Sequence, residues 1–287
     1  MIPSGRARVA GVIGWPVAHS LSPRLHGHWL DRYRIDGAYV PLPVAPDDLA
    51  AALAALGKLG FAGVNLTVPH KEAALALVDR PSDRATRIGA VNTIVVGDDG
   101  GLMGDNTDGF GFIENLRAGA PGWSARAGPA VVIGAGGAAR AVVAALLDAG
   151  APRIRLVNRT RARADVLAET MADIGGGAID VHTWADRAAV LDGAGLVVNA
   201  TTLGMTGQPP LDLPLDRLPA AALVTDIVYA PLTTPLLAAA AGRGNRVVDG
   251  LGMLLHQARP GFAAWFGVEP RVTTALRDFV SAAASSA

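Results

Sequence analysis

The stretch AVVIGAGGAARAVVAAL, residues 130–146, decides the fold of the central part of the chain. An apolar strand runs directly into Gly134, Gly136 and Ala139, which match the pattern G-x-G-x-x-G/A, and an Ala-rich helix follows. The first glycine permits the tight turn, the second lets a pyrophosphate approach the backbone, and the helix N-terminus offers unpaired N–H groups to that anion. Because strand, turn and helix occur together, the stretch predicts a Rossmann-type dinucleotide-binding unit. The alternative is a glycine-rich turn without a ligand.

The end of the next strand, at residues 156–163 (LVNRTRAR), indicates which dinucleotide is bound. An Asp or Glu at this point usually accepts hydrogen bonds from the ribose 2′-hydroxyl, but the position holds Asn158. Arg159 and Arg163 offer forked donors to a 2′-phosphate, and Asn158 and Thr160 can add neutral hydrogen bonds. The sequence therefore predicts NADP rather than NAD. The alternatives are a solvated basic helix start with Thr160 as its N-cap, and an S-adenosylmethionine methyltransferase, which would be expected to hold an acid at position 158.

Length and composition narrow the class of protein. The chain has 287 residues, which suggests about two domains, and 51% of them are apolar. Its 25 basic and 25 acidic residues give a net charge of 0, so no electrostatic attraction to nucleic acid or to an anionic membrane is expected. The absence of cysteine excludes disulfides and Cys-ligated zinc. No apolar stretch resembles a membrane span, and the N-terminal apolar run is broken by Gly11, Gly14 and Pro16, so we expect a first strand and a cytoplasmic protein.

Apolar β-branched runs alternate with Ala/Leu-rich runs along the chain, which predicts α/β units with parallel sheets. A Gly/Pro-rich linker at 121–129 separates two parts. In the first part we expect strands at 9–14, 38–44, 62–68, 90–96 and 101–108, with a hairpin turn at 98–101, and helices at 22–35, 47–60, 70–79 and 107–119. In the second part we expect strands at 154–158, 179–183, 196–201, 223–229 and 246–250. The C-terminal stretch is predicted to be helical.

Polar residues at predicted strand ends are the candidates for chemistry. Ser20 and Ser22 precede Pro23, which favours Ser22 as a helix N-cap, but two hydroxyls beside a helix N-terminus also suit a carboxylate. Lys71 is predicted to open a helix, where a cation opposes the macrodipole, which indicates a functional reason for the lysine; the alternative is an exposed helix lysine. Such a lysine can donate a proton to the alkoxide that hydride addition forms.

A second group of candidates surrounds that lysine. His70 is interpreted as structural. The sequence DNTDG supplies Asp105 and Asp108, and Thr107 or Asp108 could cap the following helix. A carboxylate near Lys71 would keep the lysine charged and in place.

Taken together these motifs resemble the shikimate dehydrogenase family over nearly the whole chain. The family's motifs occur in its order and spacing: S-x-S at 20–22, NLTVPHK at 65–71, GAVNT at 89–93, DNTDG at 105–109, GAGGA at 134–138, NRTxxR at 158–163, NAT at 199–201 and DGLGMLLHQA at 249–258. Ile227 and His70 stand where the family often has Met or Val and Phe or Tyr, respectively; neither departure puts the activity in doubt.

The resemblance implies a role for each candidate. It makes Lys71 the catalytic acid/base, paired with Asp108. It implies that the substrate is bound by Ser20, Ser22, Thr67, Asn92, Asp108, Tyr229 and Gln257. It implies that the cofactor is contacted by Asp83, Gly134, Ala135, Gly136, Gly137, Ala138, Asn158, Arg159, Thr160, Arg163, Ile227 and Gly250. No metal is implied, because the lysine supplies the electrophilic assistance.

The same resemblance implies an organisation and an activity. A substrate domain at 1–107 plus 250–287 would hold an inserted Rossmann-type NADP domain at 108–249. The implied enzyme is an NADP-dependent shikimate dehydrogenase of aromatic amino-acid biosynthesis, which reversibly reduces 3-dehydroshikimate to shikimate, as a monomer or homodimer. One rival is an NAD-dependent quinate/shikimate dehydrogenase, which tends to carry an acid at the ribose position and a Thr at the second serine of S-x-S. Another is a non-catalytic NADP-binding regulator, against which the presence of both Lys71 and Asp108 argues.

Overall fold

A computed structural model describes residues 2–172 and 178–284. The described chain forms two compact units. Unit 1 contains the residues up to Thr107 and those from Leu254 onward, and unit 2 is Asp108–Met253. The chain thus returns to unit 1 between Met253 and Leu254, whereas the sequence placed that boundary between 249 and 250. Among the described residues, no helix combines the length and the apolar character needed to span a membrane.

Unit 1 is built on a mixed sheet. Its described strands are β1 (Arg8–Gly14), β2 (Gly37–Pro43), β3 (Phe61–Leu66), β4 (Arg80–Pro81), β5 (Thr93–Val96) and β6 (Leu102–Asp105), in the spatial order β2-β1-β3-β5-β6-β4. The first three strands run parallel, and β5 lies antiparallel between β3 and β6. The predicted hairpin turn is present, with the Gly97 amide donating to the Gly101 carbonyl at 2.9 Å and Gly100 at a φ of 79°.

Helices cover this sheet with apolar residues. They are α1 (Ser22–Arg32), α2 (Leu49–Ala55), α3 (Asp83–Ile88), most of α8 (Leu251–Phe266) and α9 (Thr274–Ala284). One core cluster contains Leu53, Val64 and Ile94. A second, aromatic cluster contains Trp29, Phe262 and Trp265 with the buried His26 and Tyr39. The Trp265 indole donates to the Ile94 carbonyl at 2.9 Å, which fixes α8 to the sheet.

Unit 2 has a parallel sheet. The described strands are β7 (Ala130–Ile133), β8 (Arg153–Val157), β9 (Ala178–His182), β10 (Leu196–Asn199), β11 (Leu223–Asp226) and β12 (Arg246–Val248). Their spatial order, β12-β11-β10-β7-β8-β9, is the 3-2-1-4-5-6 order of a dinucleotide-binding fold read from the other side. The helices are α4 (Asp108–Gly119), α5 (Gly137–Asp148), α6 (Arg161–Thr170) and α7 (Pro235–Gly242). The predicted α/β fold class with a Rossmann-type unit is confirmed.

One predicted helix is wrong. Residues 70–79 form only a short 3₁₀ segment, Ala73–Ala76. The Lys71 carbonyl accepts a hydrogen bond from the Val91 amide at 2.8 Å, so a tertiary backbone contact takes the place of a helical one. The nearby helix α3 was missed, although Ser82 caps it by accepting from the Ala85 amide at 3.1 Å.

Candidate active site

The segments that follow β1 and β3 leave the same edge of the unit 1 sheet. The Thr67 amide donates to the Ile13 carbonyl at 2.9 Å, and the Trp15 amide donates to the Val68 carbonyl at 3.1 Å. At the same edge the Leu66 amide donates to the Asn92 carbonyl at 2.8 Å. Several predicted substrate residues, which lie far apart in sequence, are therefore on neighbouring segments at the carboxyl ends of β1 and β3, where α/β folds place their ligands.

The two candidate serines lie where the first of these segments enters α1. Ser22 is the first residue of the helix rather than its N-cap; Leu21 occupies the cap position, and no side chain caps the helix. The alternative role of Ser22 as an N-cap is therefore wrong. The Ser22 amide donates to the Ser20 hydroxyl at 3.3 Å, so the two serines are in contact. Their hydroxyls are thereby left for a role other than capping.

Lys71 lies in a turn that is held by a side-chain contact of His70 and by a hydrogen bond to the Lys71 carbonyl. Beside it, His70 is buried and its Nε2 lies 2.9 Å from the Val44 carbonyl, as a structural histidine requires. The Lys71 carbonyl accepts a hydrogen bond from the amide of Val91, the residue before Asn92. No α-helix starts at Lys71, so the expectation that its charge opposes a helix dipole is wrong. The lysine nevertheless lies at the edge of the sheet.

Asn92 is the centre of a buried hydrogen-bond network in unit 1. Its Oδ1 accepts from the Thr107 amide at 2.8 Å, and its Nδ2 donates to Gln257 Oε1 at 3.2 Å and to Thr107 Oγ1 at 3.1 Å. Asn92, Thr107 and Gln257 are at most 9% exposed, so the network is almost completely shielded from solvent. Two predicted substrate residues, Asn92 directly before β5 and Gln257 in α8, are thus brought together, and the chain next to Asp108 is fixed to them.

Sequence reasoning missed the residues that extend this network. Tyr39 donates to Asn65 Oδ1 at 2.7 Å, and Asn65 Nδ2 donates to Thr93 Oγ1 at 3.1 Å. The Tyr39 hydroxyl also hydrogen-bonds Ser22, while burial raises the pKa of Tyr39 well above 10 and keeps it neutral. The signal in the sequence was Asn65, an amide in the apolar strand GVNL, which must find partners when buried.

The glycine turn of unit 2 fits a dinucleotide. Gly134 has a φ of 119°, and a Cβ there would lie 2.8 Å from the Ala200 carbonyl oxygen. Gly136 is the N-cap of α5 and makes no side-chain cap, and a Cβ on it would meet nothing within 4 Å. The space in front of Gly136 and the uncapped helix N-terminus are what a pyrophosphate requires. Ala135 lies between the two glycines, and Gly137 and Ala138 are the first two residues of α5.

The basic segment after β8 leaves two arginines exposed. Asn158 folds back to donate to the Thr160 carbonyl at 2.8 Å, and Thr160 is the N-cap residue of α6 without a side-chain capping bond. Arg161 pairs with Asp165 along the helix at 3.6 Å. Arg159 and Arg163 are exposed at the carboxyl end of β8, where a 2′-phosphate is expected.

The remaining candidates divide between the two units. Ile227 and Tyr229 follow β11 in unit 2, and burial raises the pKa of Tyr229. Gly250 packs so closely on Ile227 that a Cβ there would overlap the Ile227 carbonyl. Asp108, which is 4% exposed, begins α4 in unit 2, whereas Asp83 begins α3 in unit 1. Among the described residues, no group of His, Asp and Glu is arranged to hold a metal ion.

These features define a two-unit α/β protein in which one unit has the topology and turn of a dinucleotide-binding domain. Residues 12–94 match the shikimate dehydrogenase substrate-binding domain, and residues 123–204 match the shikimate/quinate 5-dehydrogenase domain. A Rhodospirillum rubrum protein named shikimate dehydrogenase (NADP(+)) is 66% identical over 96% of this chain and 98% of its own. The chain belongs to the shikimate dehydrogenase family.

Solved structures agree with this assignment. Shikimate 5-dehydrogenase from Thermus thermophilus, in complex with NADP(H) and shikimate, is 38% identical with a TM-score of 0.83, over 97% of this chain and 99% of its own. Quinate dehydrogenase from Corynebacterium glutamicum, in complex with NAD, is 33% identical with a TM-score of 0.88, over 95% and 98%. The family resemblance inferred from the motifs is thereby confirmed.

Proposed function

We propose that this protein is an oxidoreductase that reversibly reduces 3-dehydroshikimate to shikimate with NADPH, in aromatic amino-acid biosynthesis. The observation that supports this most directly is the pairing of two sites in one chain. Unit 1 gathers a lysine, two serines and a buried Asn92–Gln257 network at one sheet edge. Unit 2 has an open glycine turn followed by a basic strand end. The Rhodospirillum relative, named for this activity and this cofactor, covers nearly the whole chain.

NADP is the cofactor that the residues of unit 2 fit. The N-terminus of α5, with Gly134 to Ala138, would hold the pyrophosphate, and Arg159 and Arg163 would hold the 2′-phosphate with Asn158 and Thr160. Ile227 and Gly250 would border the nicotinamide, and Asp83 would also contact the cofactor. When bound, the cofactor supplies or accepts the hydride.

The substrate would be held by hydroxyl and amide groups. Ser20 and Ser22 would bind its carboxylate with Thr67 and Tyr229, and hydroxyl donors suit this anion. Asn92 and Gln257 would bind ring hydroxyls. Because these two amides already contact each other at 3.2 Å, their orientation is fixed before the substrate arrives.

Lys71 would act as the acid and base. Its ammonium would stabilise negative charge that develops on the carbonyl oxygen and then donate a proton to it. In the reverse direction the neutral amine would take the proton from the hydroxyl. The Asp108 carboxylate would favour the charged lysine and fix its direction, since an opposite charge nearby stabilises the ammonium form.

The experiment that tests this function follows reduced-nicotinamide absorbance in four assays, shikimate or quinate with NADP or NAD. We expect turnover with shikimate and NADP to exceed the other three. Fastest turnover with quinate and NAD would favour the rival activity, which is the pair of ligands named for the Corynebacterium structure. No turnover in any assay would favour a non-catalytic NADP-binding protein. That the protein is a monomer or homodimer, works in the cytoplasm and binds no nucleic acid stays a prediction.

A further inference from the structure

Four polar residues, three of them buried, form a cluster at the carboxyl ends of β10 and β11 that the proposed reaction does not use. They are the buried Asn199, Asp226 and Thr234 with the partly buried Thr201, here called the Asp226 cluster. Asp226 is 1% exposed and Asn199 and Thr234 are 0% exposed, so the carboxylate itself is inaccessible to a ligand. A carboxylate buried so deeply is costly unless hydrogen bonds compensate for its lost hydration.

The carboxylate of Asp226 is compensated from three directions. Asn199 Nδ2 donates to both of its oxygens, at 3.0 and 3.1 Å, and the Thr234 hydroxyl donates to Oδ2 at 2.8 Å. The Val228 amide donates to Oδ1 at 2.9 Å. Each donor lies on a different segment: the end of β10, the start of α7 and the loop after β11. Asp226 therefore ties these three segments to one point.

Asn199 extends the same set of bonds into a second loop. Its Oδ1 accepts from the Thr201 hydroxyl at 2.7 Å and from the Thr201 amide at 3.1 Å, and its Nδ2 also donates to the Leu203 carbonyl at 2.9 Å. The Thr201 hydroxyl accepts from the Leu203 amide at 3.0 Å. The orientation of one amide group thus determines the path of residues 199–203.

The segments fixed in this way adjoin the parts of unit 2 that would meet the cofactor. The Ala200 carbonyl is the group against which Gly134 packs, and Ile227, which follows Asp226 directly, is the residue against which Gly250 packs. The Ile227 amide donates to the Asn199 carbonyl at 3.1 Å. The glycine turn that is expected to bind the pyrophosphate and the residue that is expected to border the nicotinamide, Ile227, therefore both contact residues that the Asp226 cluster holds in place.

We propose that Asp226 is a positioning residue for the reaction, which acts through Asn199 and Val228 to set the wall formed by Ile227 and Tyr229. This inference rests on the proposed function, because that function places the nicotinamide against Ile227. Misplacement of reacting groups by about 1 Å can slow a reaction by about 10²-fold even when the altered residue is remote from the chemistry. Loosening the wall should thus slow the hydride step without releasing the cofactor, which is held by other contacts.

The test uses the isosteric variant Asp226→Asn. Because Asn199 Nδ2 donates to both carboxylate oxygens, the amide NH2 group of the variant faces that donor in either orientation, so that Asn199 must turn. In the ligand-free protein we expect faster hydrogen–deuterium exchange in residues 201–205 and 227–229. In stopped-flow single turnovers we expect the hydride-transfer phase, identified by its slowing with deuterated NADPH, to fall by about tenfold or more. The Kd for NADPH, from fluorescence titration, should change by a smaller factor than the hydride rate, because the predicted contacts to the pyrophosphate and the 2′-phosphate come from residues outside the cluster.

Two further variants separate positioning from lost stability. Thr234→Val removes one donor to Asp226 and should shift both readouts in the same direction by less. Asn245→Ala removes a buried amide that donates to the Pro219, Ala220 and Ala222 carbonyls at the amino-terminal edge of the sheet. It should lower Tm while leaving the hydride phase at the wild-type rate.

Each outcome decides the question. Unchanged exchange in the two loops, or a wild-type hydride phase in both Asp226→Asn and Thr234→Val, would overturn the positioning role. An equally slow phase in Asn245→Ala would overturn it too, because the effect would then follow stability alone. If the wild-type protein bound NADPH but did not turn over shikimate, the proposed function would fail instead, while the exchange result would still report on the cluster.

Discussion

Lys71 is one of two lysines in the chain, and the other, Lys58, is exposed in the turn after α2. We expect Lys71→Ala to lower kcat by a factor of about 10² or more, the usual scale for loss of a general acid. NADPH affinity should stay nearly intact, because the predicted phosphate contacts lie in unit 2. Steady-state kinetics and a fluorescence titration measure the two effects. Lys58→Ala, the matched control, should keep full activity; equal losses of kcat and affinity in Lys71→Ala would indicate misfolding instead.

Arg159 provides a second test at the scale of one side chain. Arg159→Ala should weaken NADPH binding by about 1.5–3 kcal/mol, the range for a charged hydrogen bond, and should hardly affect NADH. Arg161→Ala is the control, since Arg161 already pairs with Asp165 on α6. Titrations of each variant with both nucleotides give the comparison. Parallel weakening of NADPH and NADH would contradict the assignment of the 2′-phosphate to this arginine.

At the scale of elements, two glycines of the strand–turn–helix unit around residues 130–146 are needed for different reasons, one for stability and the other for cofactor binding. Gly134→Ala should destabilise unit 2 by about 1–3 kcal/mol, because its φ of 119° is unfavourable for alanine and the Cβ would approach the Ala200 carbonyl. Gly136→Ala should leave stability unchanged, because its φ is −94° and the space beside it is open. It should nonetheless weaken NADPH binding, since the methyl group would occupy the path of the pyrophosphate.

Thermal unfolding and NADPH titration of both variants check this pair. Gly242→Ala, at the exposed end of α7 where a Cβ also meets nothing within 4 Å, serves as a control for the substitution itself. If Gly136→Ala bound NADPH as the wild type does, the space in front of Gly136 would not be the pyrophosphate site.

The success of sequence reasoning differed from element to element. The Rossmann-type unit was predictable because its strand, glycines and helix are contiguous, so local geometry alone specifies it. The helix expected at 70–79 failed because a contact from residue 91, distant in sequence, takes the Lys71 carbonyl. Ser22 was misread as a cap because Ser and Pro in sequence do not fix which residue begins the helix.

In the candidate site too, features set by local sequence were predictable and contacts between distant residues were not. The motif positions Asn92 and Gln257 were predicted, but their direct contact was not, since they are brought together only by the folding of α8 onto unit 1. Tyr39, Thr93 and the Asp226 cluster escaped because their roles depend on partners from other strands. Polar residues in apolar strands indicate that a buried hydrogen-bond network exists, because buried polar groups need partners. They do not indicate which residues those partners are.

At the scale of the whole molecule, the two units have separate cores and separate buried polar groups. Unit 1 buries His26 completely among aromatic rings: it stacks on Tyr39 with ring centroids 3.9 Å apart, and neither ring nitrogen has a hydrogen-bond partner. Burial lowers the pKa of His26 from 6.5 to about 3. The folded protein therefore keeps this histidine neutral at pH values where the unfolded chain protonates it.

The lowered pKa of His26 makes the folded protein less stable as the pH falls. Because the folded pKa is depressed, the unfolded state binds more protons below pH 6.5, and the free energy of unfolding falls as the pH decreases from 6.5 towards 3. The slope is about half of 1.4 kcal/mol per pH unit at pH 6.5 and approaches about 1.4 at lower pH, so unit 1 should lose about 1.6 kcal/mol between pH 6.5 and pH 5. Over that range the carboxyl groups with lowered pKa values, such as Asp105, stay ionised and contribute little.

His26→Phe should abolish this loss, since the ring contacts with Tyr39 and Trp29 remain while the titrating group is removed. Urea denaturation followed by tryptophan fluorescence at pH 5, 6 and 7.5 gives the free energies for the wild type and the variant. His19→Phe, at an exposed histidine, is the matched control and should keep the wild-type pH dependence. If wild type and His26→Phe weakened in parallel on acidification, a group other than His26 would govern the acid sensitivity of unit 1.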